Sequence, residues 1–106
     1  MSKEDKENAE ALGESEMKKR LAALRQKSFD ELSVLPDYET INLKSGKYEV
    51  KVTTYRDNIE DDLLQIAVQW HFHIRLGFGH IGADGFTITS ENVVRDTEEK
   101  ALYEFM

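Results

Sequence analysis

The clearest pattern in the chain is the run Leu64-Gln65-Ile66-Ala67-Val68-Gln69-Trp70-His71-Phe72-His73-Ile74-Arg75-Leu76. Every even position is apolar, and every odd one apart from Ala67 is polar. Period two marks a strand with one buried and one wet face. At ~3.3 Å per residue such a run would reach roughly 43 Å, about twice an ordinary strand, so a bend or bulge is expected in it. The even row should form the core, with Trp70 and Phe72 at its centre.

The other apolar periods fall around this strand. Thr40 to Lys44 and Lys47 to Thr54 alternate on either side of Ser45-Gly46. A two-residue loop there predicts a hairpin pairing Leu43 with Tyr48 and Ile41 with Val50. Arg56 to Asp62 reads as a polar loop. Beyond Leu76, Gly77-Phe78-Gly79 predicts a tight turn into a strand from His80 to Thr89. Apolar residues there switch from odd (Ile81, Ala83) to even (Phe86, Ile88), which predicts a β-bulge near Gly82 and Gly85.

Met17, Leu21, Leu24, Ser28 and Leu32 recur at three- and four-residue steps, an amphipathic helix opening at an N-cap on Ser15. Ser28-Phe29-Asp30-Glu31 matches a capping box, so a break and a second short helix to Val34 are allowed, with Pro36 ending the run. Residues 1–14 lack large apolar residues between Met1 and Leu12 and read as a disordered acidic tail. Asp96-Thr97-Glu98-Glu99 predicts the start of a short C-terminal helix with Ala101, Leu102 and Phe105 on one side. The expected fold is α+β. An N-terminal amphipathic helix packs on a four-stranded antiparallel β-meander, with a short C-terminal helix, and residues 15–106 form one domain.

Composition narrows the function classes. The 106 residues are 40% hydrophobic and 33% charged, with a net charge of −7. That balance fits a globular domain and argues against general nucleic-acid binding, which needs cations on phosphates. No apolar window approaches the ~18 residues of a membrane span, and the first residues do not form a secretory signal. The absence of cysteine excludes disulfides and thiolate metal sites and fits a cytoplasmic protein. The charge is uneven: residues 1–16 sum to −4, whereas residues 17–27 carry five cations and no acid.

Two constellations carry candidate chemistry. His71 and His73 are two apart on a strand and share a face, so with His80 beyond the turn they could bind zinc through three imidazoles. Arg75 on the same row would repel a cation. Gly77-Phe78-Gly79-His80-Ile81-Gly82 spells G-x-G-x-x-G after a strand, but strand-like sequence follows where a dinucleotide site needs a helix. The glycines are read as the hinge of a hairpin. No catalytic signature stands out. The expectation is a small non-enzymatic protein-interaction or regulatory module. Its contact residues would be Gln69, His71, His73 and Arg75 on the wet row, Phe78 at the hairpin tip, and Lys18 and Arg25 on the helix. A sheet edge or the N-terminal helix could also join two copies.

Overall fold

The computed structural model describes residues 3–46, 48–73 and 79–96. Helix α1 (Lys3–Arg25) and a short α2 (Phe29–Ser33) precede β1 (Tyr38–Ser45), β2 (Tyr48–Glu60), β3 (Leu63–His73), β4 (Gly79–Thr89) and β5 (Val94–Asp96). All five strands form one antiparallel sheet in chain order. The α+β meander expected from the periodicity is present, with five strands where four were expected. Val94–Asp96 is a fifth strand, because the Thr89 hydroxyl accepts from the Val93 N–H (3.2 Å) and Asn92 adopts φ 65°, folding the chain straight back on β4. The expected C-terminal helix lies outside the described residues, apart from Asp96, which belongs to β5.

Helix α1 starts well before Ser15, at Lys3. In its N-terminal half the one large apolar residue, Leu12, is only partly buried against the core, and small residues make the closest approach to the sheet. Ala9 is fully buried, and Gly13 packs against the face of Trp70, where a Cβ would lie 2.5 Å from Cδ2. Met17, Leu21 and Leu24 continue the same stripe. The helix ends near Arg25, and the break that the capping box allowed at Ser28 is present. The Ser28 hydroxyl accepts from the Glu31 N–H at 3.2 Å while the Glu31 carboxylate accepts from the Ser28 N–H at 3.1 Å. Those bonds, the backbone one foremost, hold the Glu31 carboxyl below the ordinary glutamate range. Asn92 adds a cap from the far end of the sheet, its Oδ1 accepting from the Phe29 N–H at 2.8 Å.

Three local expectations are corrected by the ladder. The first hairpin pairs Leu43 with Val50 and Ile41 with Val52, two residues from the expected register. The apolar faces survive because a shift of two preserves side-chain phase. Gly46, at φ 59°, supplies the left-handed turn conformation that favours glycine. Strand β2 runs on to Glu60 through the stretch read as a loop, and Asp61-Asp62 alone turns the chain into β3. The bulge lies there, between Asn58 and Glu60. Strand β4 pairs with β3 from Gly79 to Thr89 without a register shift, so there is no bulge at Gly82 or Gly85. Gly82 interrupts the inward apolar row because Trp70 takes the space: a Cβ there would lie 2.3 Å from the indole Nε1.

The core lies between α1, α2 and the inner sheet face, where Leu64, Ile66, Val68, Trp70 and Phe72 of β3 are all buried. Each such side chain contributes roughly 1.5–3 kcal/mol by leaving water. Trp70 and Phe72 stack with ring centroids 6.0 Å apart, and Tyr48 meets Phe72 edge-on at 5.0 Å. The Trp70 Nε1 has no hydrogen-bond partner. Five strands ~4.8 Å apart span about 19 Å, nearly twice a helix diameter, so a single long helix leaves part of the face uncovered. Both margins are uncovered: β5 is exposed throughout, and in β1 Ile41 and Leu43 are only partly buried against the core.

Candidate functional site

The β1 margin forms a groove of about 390 Å³ between the flank of α1 and the start of β1. Glu16, Lys19, Arg20 and Ala23, on one flank of α1, line one side together with Lys27 just beyond the helix end. Leu24 lies at its base; Leu35 and Glu39 form the other side. Arg20 reaches across to Glu39 at 3.9 Å. Lys19 and Lys27 remain against Glu16, so the rim is positive on a chain whose net charge is −7.

The Leu35 wall is held by Arg56. Its Nε donates to the Leu35 carbonyl at 2.7 Å, its Nη2 to Asp37 Oδ1 at 2.8 Å and its Nη1 to Asn58 Oδ1 at 2.6 Å. The Arg56 backbone N–H also donates to the Asp37 carbonyl at 2.9 Å. The loop around Pro36 is therefore pinned to β2 by three bonds from one residue, and the fourth, to Asn58 within β2, fixes the guanidinium itself. Beside this fixed wall, Val34 and Tyr38 are 82% and 67% exposed.

The residues expected to make contacts are scattered. Lys18 is exposed on α1 but does not line the groove. Arg25 turns the other way, its guanidinium 5.0 Å over the Phe86 ring and 2.8 Å from Asp96. Gln69 is 3% exposed and Gln65 7%, so the polar row of β3 is not open to solvent at these positions. Period two identifies which residues share a face; it does not say whether that face reaches water. His71 is half-buried on that row, in register with Lys51 and Ile81. The ladder pairs position 73 with Gly79 and position 80 with Phe72, so residues 71 and 80 stand at opposite pleat phases. The side chains of His73 and His80, and all of Arg75 and Phe78, lie outside the described residues. Among the described residues no three His, Cys, Asp or Glu side chains are grouped as metal ligands.

Leu35 and Glu39 were not legible as site residues, because the groove arises where the Pro36 loop meets a helix distant in sequence. Among the described residues no helix is long and apolar enough to cross a membrane. No family model matches the chain, and no curated protein or solved structure is significantly similar to it.

Proposed function

We propose that this protein is a non-enzymatic protein-interaction module, acting as an adaptor, inhibitor or accessory subunit, and that its contact surface is the α1–β1 groove. One observation supports the reading most: an apolar trough (Ala23, Leu24, Leu35) with a cationic rim (Lys19, Arg20, Lys27), beside two large exposed apolar side chains. Apolar surface rimmed by polar groups is the usual form of a protein-binding patch. The cysteine-free composition favours the cytoplasm as its compartment, and the net charge disfavours general nucleic-acid binding.

Affinity capture from a lysate tests this with three baits: wild type, Lys19→Glu/Lys27→Glu, and Glu60→Lys as a remote charge control. The reading expects a partner recovered equally by wild type and the control and depleted by the groove variant. Equal recovery by all three baits removes the groove from the account.

A further inference from the structure

Strand β1 is the edge of the sheet, paired with β2 over all eight residues and unpaired on its other side among the described residues. Natural edge strands are commonly guarded by proline, a bulge or inward charge, because a bare edge recruits other strands. Here β1 has no proline, its ladder with β2 runs without a register shift, and its one inward charge, Glu39, is drawn to Arg20 of the helix. Its inward row reads Glu39, Ile41, Leu43, Ser45, the two apolar residues being half-covered. Strand β5, at the opposite edge, has only three residues.

A free edge with a groove under the adjoining helix flank is the arrangement that strand addition uses. Main-chain bonds supply affinity, and pockets for alternate side chains supply specificity. We infer that the groove and the β1 edge together bind an extended, acidic segment of a partner protein, added as a sixth strand beside β1. This rests on the reading of the groove as a protein-contact surface and specifies its occupant. The segment's inward row alternates apolar and acidic residues. The apolar side chain sits against Ala23, Leu24 and Leu35, and the carboxylates meet Lys19 and Lys27, which Glu39 leaves free by pairing with Arg20. Its outward row lies beside Thr40, Asn42 and Lys44, all exposed, and so is polar.

The test uses the heptapeptide Glu-Thr-Leu-Thr-Glu-Thr-Leu, its Lys-for-Glu counterpart, and an acidic version N-methylated at every peptide bond so that neither of its edges can pair as a strand. Each is titrated into the full chain and followed by amide NMR shifts and hydrogen exchange. The acidic peptide is expected to shift and protect β1 amides from Tyr38 to Ser45, leaving β5 unchanged. Lys19→Glu/Lys27→Glu, both exposed substitutions, should weaken binding about tenfold, and the lysine and N-methylated peptides should bind no better than that variant. Absence of binding by the acidic peptide at millimolar concentration overturns the inference. So does binding that survives N-methylation, which would leave the groove a contact surface for some other conformation and the broader reading intact. Protection of β1 without peptide, together with a doubled sedimentation mass, would assign the edge to a second copy and also overturn it.

Discussion

Gly13→Ala is the sharpest test of how α1 is seated. In an exposed helix interior this change stabilises by about 1 kcal/mol, because alanine loses less backbone freedom. Here the new methyl would lie 2.5 Å from Trp70 Cδ2 and 2.7 Å from Cγ and Cε3. That is about 1 Å inside ordinary carbon contact. The indole has no room to retreat, since Gly82 lies against its Nε1 and Phe72 stacks beside it. Forcing a methyl into a packed site costs about 1–3 kcal/mol, and a boxed-in ring falls at the upper end. The balance is a net loss of about 1–2 kcal/mol. Urea unfolding followed by the fluorescence of Trp70, the single tryptophan, reads this as a lower midpoint. Ser15→Ala, at an exposed position on the same helix, should instead raise it slightly. A Gly13→Ala protein at least as stable as wild type would refute the described seating of α1 on Trp70.

Arg56→Lys keeps the charge but not the fork that holds Leu35, Asp37 and Asn58; it should cost about 1.5–3 kcal/mol in urea unfolding and speed exchange at the Arg56 amide, which is bonded to the Asp37 carbonyl. Asn92→Gly retains the left-handed turn and loses only the bond to Phe29, whereas Asn92→Ala loses both, so alanine should be the more destabilising by about 1 kcal/mol in thermal unfolding. Because the Glu31 carboxyl is held below its ordinary value when folded, its contribution is present above the unfolded glutamate pKa and is lost as the pH falls through the lower folded one. Glu31→Gln should flatten that acid limb, leaving the neutral-pH slope unchanged, in stability measured across the pH range.

The long alternation of β3 made the core row legible, because period two and burial on one face have the same cause. The break at Ser28 was equally legible, since a capping box is a local bond pattern that needs no tertiary partner. The N-terminal half of α1 was not. Its docking face is built from Ala9 and Gly13 beside Leu12, and one large residue among small ones makes no apolar stripe to detect. The β4 bulge was misread for a related reason: Gly82 looks like a lost phase until Trp70 is known to occupy the space above it. The groove was invisible for want of any local signal. Its walls come from two segments distant in sequence, one of them held in place by Arg56, which the sequence puts in an apparently polar loop.

The glycine slot that receives Trp70 also sets an order of events during synthesis. Helix α1 leaves the ribosome before any strand, but the surface it docks on is completed only once β3 and β4 have been made. At about 5–20 residues per second that is a wait of several seconds. The half of the helix that docks through Ala9 and Gly13 shows little apolar surface during that wait, whereas the half carrying Met17, Leu21 and Leu24 leaves water only when the sheet arrives.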